Sequence, residues 1–275
     1  MKNLLNKFPL ASGFVLAVLL FSTALFISGL INKGVVKQYV PYTAPILLFV
    51  ATWFLYKKDH QSLKTIGLNF SKRNMLFLPL GILIGATAFL GAKYVRALYI
   101  GETFELSTSI SYTTILYSFY FILPQVATEE FLFRGYLFKK TIDISNVVLA
   151  NIIFSILFML IHVLDENVMS NIGMVIFLGI TIPVGHLMFA TALLKSKTLF
   201  FPIGLHLGNN WATRHLISNS NTGDSFLYIP NVTAFDSWTP FIISILIFNG
   251  FFLFVTFLIW KWDKINCECA YFRNS

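Results

Sequence analysis

Apolar segments of about twenty residues recur along almost the whole chain, and shorter polar segments separate them. A helix needs about 20 mainly apolar residues to cross a bilayer. The pattern therefore predicts eight membrane-spanning helices, at about 9–31, 40–56, 75–95, 112–138, 147–163, 172–194, 198–216 and 240–260. No polar segment is long enough to bury a separate core, so we expect one integral membrane domain over residues 1–275. The predicted fold class is all-α, a polytopic membrane helical bundle.

The composition supports a membrane protein and suggests its orientation. Charged residues make up 12% of the 275 residues, whereas soluble domains carry about 25%. Lys and Arg concentrate in alternate loops, for example at Lys57, Lys139 and Lys195, and the positive-inside rule assigns such loops to the cytoplasm. Both termini are then cytoplasmic, and we expect a bacterial plasma membrane, with a eukaryotic endomembrane as the alternative. This distribution explains the net charge of +8 without a nucleic-acid partner.

The fourth predicted span is unusual because it contains Glu129, Glu130 and Arg134. Charged groups in a bilayer cost a few kcal/mol each and commonly mark a function. Glu130 and Arg134 are four residues apart on one helix face, which favours an ion pair, whereas Glu129 points about 100° away and is free to accept a proton from water. Pro124 interrupts this span, and neighbouring helices or water must satisfy the backbone carbonyl that it frees.

Polar groups also occur in two later apolar segments. His162 follows Phe158 by four residues, and His206 precedes Asn210 by four, so each pair shares a helix face. An imidazole and an amide can together stabilise the oxyanion of a tetrahedral intermediate. The structural alternatives are a histidine satisfied by a backbone carbonyl and hydrogen bonding between helices. Gly204 and Gly208 would let a neighbouring helix or a substrate backbone approach closely.

A metal is a second chemical possibility for these residues. Glu129, His162 and His206 form a donor set that zinc commonly uses, with a fourth position left for water. The sequence lacks H-E-x-x-H, so a metal-bound water and a water activated by Glu and His both remain open. Counting along straight helices places Glu129 near the inner surface, His206 nearer the middle and His162 toward the outer side. The three residues then spread over about 15 Å in depth. Direct contact therefore requires tilted helices, a kink at Pro124 or shifted helix boundaries.

Together, Glu129-Glu130…Arg134, Phe158…His162 and His206…Asn210 resemble the three motifs of the CAAX protease and bacteriocin-processing family, also called CPBP or Abi. These are intramembrane proteases, described both as metalloproteases and as glutamate-type proteases. The resemblance covers about 110–215, the expected catalytic core.

By position, the resemblance implies that Glu129 and His162 activate the attacking water. His206 and Asn210 would stabilise the oxyanion, while Glu130 and Arg134 support the site and Phe158 belongs to the second motif. The implied substrates are membrane-associated proteins or peptides, of the prenylated CAAX type or bacteriocin-like.

The predicted function is therefore an intramembrane endopeptidase acting within the inner half of the bilayer on a substrate that arrives from the cytoplasm. Its expected partners are this substrate and the lipid bilayer, with no nucleic acid. Two alternatives remain open from the sequence. One is a non-catalytic immunity or scaffold protein of the same fold, and the other is a proton-coupled transporter with a relay through Glu129, Glu130 and His162.

Overall fold

The computed structural model describes residues 9–233, 235 and 237–273, with side chains described from 12 to 262 apart from 234 and 236. The helices are α1 Pro9–Ile31, α2 Gly34–Tyr39, α3 Thr43–Lys58, α4 Lys72–Ile100, α5 Tyr112–Arg134, α6 Tyr136–Ile144, α7 Val147–Val163, α8 Glu166–Met169, α9 Ile172–Ser196, α10 Phe200–Trp211 and α11 Trp238–Arg273. A 3₁₀ turn at Leu63–Ile66 precedes α4, and a π-helical turn at Ala212–Leu216 follows α10. Three two-residue strands, β1 Glu105–Leu106, β2 Ile217–Ser218 and β3 Leu227–Tyr228, form a small sheet in the order β1-β3-β2.

The all-α helical bundle predicted from the apolar segments is confirmed, since helices form most of each of the eight segments. Among the residues whose side chains are described, four helical stretches are long and apolar enough to cross a membrane: Ser12–Ile31, Lys72–Ile100, Ile172–Ser196 and Trp238–Trp262. Large apolar side chains remain exposed on these helices, for example Phe26, Leu83 and Leu246. Such side chains suit contact with lipid, because a bilayer does not penalise apolar surface as water does. That the other four segments also cross the membrane stays a prediction.

The fourth predicted span is wrong in its length, because 112–138 forms two helices instead of one. Helix α5 ends at Arg134, and α6 begins at Tyr136. Gly135 makes the break: a Cβ atom there would lie 2.2 Å from the Phe131 carbonyl oxygen, so only glycine fits this backbone. The glycine therefore ends α5 directly after the charged motif.

Helix α6 is attached to the loop after α3 through Asp59. The Tyr136 hydroxyl and the Lys140 ammonium donate hydrogen bonds to Asp59 Oδ2, at 2.8 and 2.6 Å. Partial burial alone would raise the pKa of Asp59, but these hydrogen bonds and the positive charge of Lys140 outweigh it and lower the pKa below its ordinary value.

Helix α5 continues through Pro124. A proline lacks the N–H that would bond the carbonyl four residues earlier, here that of Tyr120. The Tyr42 hydroxyl donates to this oxygen at 2.9 Å, and the Tyr120 hydroxyl donates in return to the Tyr39 carbonyl at 2.6 Å. The prediction that a neighbouring group satisfies the freed carbonyl is confirmed.

Helices α4 and α10 approach each other closely along two pairs of glycines. A Cβ atom on Gly81 would lie 2.7 Å from the Leu205 nitrogen, and one on Gly85 would lie 2.0 Å from the Leu205 carbonyl oxygen. From the other side, a Cβ atom on Gly204 or Gly208 would lie 2.3 or 2.1 Å from carbonyl oxygens of α4. The backbones therefore pack directly together, as small residues permit in membrane helices. This contact fixes α10, which carries His206 and Asn210.

Candidate active site

His206 lies between the two carboxylates of the fourth predicted span. Its Nδ1 atom is 2.8 Å from Glu130 Oε1, and its Nε2 atom is 3.5 Å from Glu129 Oε2. All three side chains are buried, with Glu130 fully inaccessible. The structure thus brings together residues from α5 and α10 that are 76 positions apart in sequence.

Glu129 and His206 therefore meet, although straight-helix counting spread Glu129, His206 and His162 over about 15 Å in depth. The estimate assumed that 198–216 is one straight spanning helix, whereas α10 is a 12-residue helix that ends at Trp211. Because α10 is held against α4 at its glycines, His206 reaches the level of the last turn of α5.

Glu130 and Arg134 form the ion pair that their spacing predicts. Arg134 Nη1 is 3.2 Å from Glu130 Oε1, and neither side chain is accessible to solvent. The guanidinium also lies 4.1 Å from the ring centroid of Phe158 and 5.1 Å from that of Phe189. Aromatic faces stabilise a desolvated cation, so the Phe158 and Phe189 rings offset part of the cost of burying the Arg134 guanidinium.

Glu129 Oε2 and His206 Nε2 face each other, and two acceptor atoms in this position require a hydrogen-bond donor between them. The Glu130 carboxylate, paired with Arg134, accepts the hydrogen bond from Nδ1 of His206, so a neutral ring carries its lone pair on Nε2. That lone pair faces Glu129 Oε2, another acceptor, which has no hydrogen-bond partner among the residues described. A shared proton or a third molecule that donates a hydrogen, such as water, satisfies both atoms. The geometry is therefore suited to hold and deprotonate a water molecule.

Glu129 avoids Arg134, as the helix geometry predicts, and contacts Gln125 instead. Gln125 Nε2 donates to Glu129 Oε1 at 3.0 Å. Arg214, in the π-helical turn after α10, donates to Gln125 Oε1 at 3.4 Å. Glu129 therefore has one oxygen fixed by a hydrogen bond and one that faces His206.

His162 is half-buried on the neighbouring helix α7. Its Nδ1 atom lies 2.8 Å from the Phe158 carbonyl oxygen, so Nδ1 carries the hydrogen and Nε2 is left as an acceptor. The backbone-carbonyl alternative thus accounts for one ring nitrogen only. The Phe158 ring adjoins both imidazoles, with centroids 4.7 Å from that of His162 and 6.1 Å from that of His206.

A cavity of about 820 Å³ adjoins these groups, and His162, His206, Asn210, Gln125 and Arg214 all line it. Asn210 Oδ1 accepts a long hydrogen bond of 3.5 Å from the neighbouring Asn209 amide. Within the described part of the chain the Asn210 Nδ2 group makes no hydrogen bond of its own and remains available as a donor. The cavity is large enough to admit a peptide segment beside His162 and His206.

The lining of the cavity bears on the predicted orientation of the chain. Its lining includes Lys93, Arg96, Asn171 and Asn219, which lie at helix ends and loops that the charge pattern assigns to the outer side. None of its lining residues belongs to a loop predicted to be cytoplasmic. The predicted orientation and the arrival of the substrate from the cytoplasm both stay predictions.

The predicted zinc donors are only partly assembled. Glu129 and His206 are adjacent, but within residues 9–233, 235 and 237–273 no group of three His, Cys, Asp or Glu side chains is arranged to hold a metal ion. The donor chemistry itself suits zinc, since both imidazoles use Nδ1 for a carbonyl or carboxylate and leave Nε2, as metal-bound histidines commonly do. Zinc dependence stays a prediction.

Sequence reasoning did not identify several residues of the site. Gln125 was detectable, because it lies four residues before Glu129 on the same helix face. Gly81 and Gly85 were also detectable as a G-x-x-x-G pair that matches Gly204 and Gly208. Phe189 stacks on His206 with ring centroids 4.7 Å apart, but nothing distinguishes it among the chain's 30 phenylalanines.

Comparison with protein families matches residues 111–212 to Rce1-like type II CAAX prenyl endopeptidases. No curated protein and no solved structure matches the chain. The matched segment runs from the start of α5 to the end of α10 and contains every residue of the three motifs. The match of residues 111–212 is therefore consistent with the CAAX protease family.

Proposed function

We propose that the chain is an intramembrane endopeptidase that hydrolyses a peptide bond of a membrane-associated substrate with a water molecule activated by Glu129. The observation that carries the proposal is the position of His206 between two buried carboxylates beside a large cavity. The family match of residues 111–212 to CAAX prenyl endopeptidases supports the same reaction class.

In this mechanism the water lies next to Glu129 Oε2, the buried oxygen without a partner among the described residues. Glu129 accepts a proton from the water, whose oxygen attacks the substrate carbonyl carbon. His162, with its free Nε2, accepts a second hydrogen bond from this water and orients it. Glu129 then delivers the proton to the leaving amine, so the carboxylate is regenerated when the peptide bond breaks.

His206 and Asn210 have the complementary role of stabilising negative charge on the substrate oxygen. The Asn210 amide donates from the cavity wall, and a hydrogen on His206 Nε2 that turns to the substrate oxygen is the second donor, which leaves Glu129 Oε2 free to accept the proton from water. Glu130 and Arg134 do not contact the substrate in this mechanism. They fix the His206 ring through Nδ1 and determine which nitrogen faces the cavity side.

The finer identity of the substrate and cofactor is part of the proposal. A prenylated CAAX-type protein or a bacteriocin-like peptide suits the family to which residues 111–212 match. Zinc, when bound, would be held by Glu129, His162 and His206 and would supply Lewis-acid activation of the water. The proposed location is the plasma membrane.

The decisive experiment measures cleavage by purified protein in lipid, with a prenylated CAAX peptide and a library of membrane-anchored peptides. Wild type is compared with Glu129→Gln and His206→Ala, each with and without chelator, and Glu166→Gln on exposed α8 is the matched carboxylate control. We expect both site variants to lose at least about a hundredfold in rate, and the control to cleave like wild type.

Each contrary outcome has a distinct meaning. Equal cleavage by wild type, Glu129→Gln and His206→Ala refutes the site. Cleavage that disappears with chelator and returns with zinc assigns the reaction to a metalloprotease. If no form cleaves any peptide while all remain folded, the non-catalytic scaffold becomes the better interpretation.

A further inference from the structure

Gln125 lies between the proposed catalytic carboxylate and the cavity. It lines the cavity, whereas Glu129 is not among the lining residues. Its Nε2 group donates to Glu129 Oε1 at 3.0 Å. This bond occupies one carboxylate oxygen and leaves Oε2, which is buried and faces His206, without a hydrogen-bond partner among the described residues.

Arg214 determines which end of the Gln125 amide faces Glu129. The oxygen and nitrogen of an amide exchange positions by a half turn of the side chain, and the hydrogen-bond network decides between them. A guanidinium has donors only, so Arg214 Nη2, at 3.4 Å, requires the amide oxygen to face it. The NH₂ group must then face the carboxylate, where a donor is needed.

The position of Arg214 in the chain connects it to the other residues of the proposed active site. Arg214 lies in the π-helical turn Ala212–Leu216, which directly continues helix α10. The same continuous helical segment therefore carries His206 and Asn210, and through Arg214 it also holds the carboxylate of the opposite helix α5. Among the described residues no carboxylate pairs with Arg214, so its charge is not committed to another ion pair.

We propose that Gln125 is a positioning residue that holds Glu129 in its reactive orientation, and that Arg214 acts through Gln125. The inference rests on the proposed function. Without the Gln125 amide, no hydrogen bond holds Glu129 Oε1, and the carboxylate can turn about the bond that joins it to the side chain. The position of Oε2 next to the water is then no longer fixed. Misplacement of a catalytic group by about 1 Å can cost a hundredfold in rate.

The kinetic test measures kcat and KM with a fluorogenic version of the prenylated CAAX peptide. Gln125→Met keeps the length of the side chain and removes its amide, and we expect kcat to fall about tenfold to a hundredfold with KM within about twofold of wild type. Gln125→Glu should lose more, because a second carboxylate would face Glu129. Gln38→Met, on exposed α2, is the matched control and should behave like wild type.

The relation between the two residues is tested by a double-mutant cycle. Arg214→Gln should lower kcat by less than Gln125→Met, and the double variant should be no slower than Gln125→Met alone, because Arg214 acts only through the amide. Arg73→Gln, at the opposite end of the bundle, is the control for loss of an arginine. An unchanged kcat in Gln125→Met overturns the proposal. A raised KM in Arg214→Gln that adds to the Gln125→Met loss means that Arg214 binds substrate instead.

A second measurement requires no cleavable substrate and separates this inference from the proposed function. Thermal unfolding is recorded for Gln125→Met, Glu129→Gln and the double variant. Contact between the two side chains predicts that the Tm shifts of the single variants do not add. Additive shifts overturn the positioning role even if the enzyme is active, whereas coupled shifts in a protein without peptidase activity sustain the contact and reject only the proposed function.

Discussion

Because α4 and α10 are in close contact, we expect Gly85→Ala, which adds only one methyl group, to lower the free energy of unfolding substantially. The new Cβ atom would lie 2.0 Å from the Leu205 carbonyl oxygen, so the backbones must separate by about 1.5 Å to reach ordinary contact. Overpacking of this kind costs about 1–3 kcal/mol. The matched control is Gly250→Ala in α11, where nothing lies within 4 Å of the added Cβ and the helix should gain about 0.5–1 kcal/mol.

These two changes are chemically identical, so their difference isolates the helix contact. We expect the Tm of Gly85→Ala to lie roughly 5–15 °C below that of Gly250→Ala when both are unfolded in the same detergent. Because Leu205 precedes His206, a shift of its backbone also breaks the 2.8 Å hydrogen bond from His206 to Glu130. Peptidase activity should therefore be reduced even at temperatures well below the Tm, where the protein is fully folded. A Tm for Gly85→Ala equal to or above that of the control would refute this reasoning.

Three further predictions concern groups outside this helix contact. Arg134→Met leaves the buried Glu130 carboxylate without its cation and should cost about 3–5 kcal/mol of unfolding free energy, part of which Glu130→Leu in the same chain should restore in a double-mutant cycle. Tyr42→Phe removes the hydrogen bond to the Tyr120 carbonyl, and denaturant unfolding should show a loss of about 1 kcal/mol. Because the folded-state pKa of Asp59 lies below its ordinary value of 3.8, this carboxylate contributes stability above that pH and loses it as the pH falls through the folded pKa. The Tm of wild type should accordingly fall by more than that of Asp59→Asn between about pH 5 and pH 3. Equal decreases in the two proteins would contradict a stabilising role of the Asp59 carboxylate.

The helical architecture could be predicted from the sequence because it depends on local patterns. Apolar runs of about twenty residues fix where helices lie whatever their neighbours are, and all eight predicted segments are helical. The prediction was wrong where a single residue changed the path of the chain. At Gly135 the backbone turns too close to the Phe131 carbonyl for any side chain, and periodicity carries no signal for such a turn.

The candidate site was predictable in its residue types but not in its arrangement. Buried charge in an apolar helix is costly, so Glu129, Glu130 and Arg134 stood out without any structure. Their spacing also predicted which carboxylate Arg134 pairs with. The contact between Glu129 and His206 depends on the depth at which α10 ends, and straight-helix counting misjudged that depth.

The sequence alone determined a helical membrane bundle, the buried ionisable groups and the pairs that share one helix face, because each of these follows from residues within about four positions. Only the tertiary structure decided which helices meet, that His206 lies between two carboxylates, and that Gln125 and Arg214 fix one of them. These contacts join α5 to α10 across 76 to 89 residues of chain. They depend on the close packing of α10 against α4, and no local pattern specifies that distance.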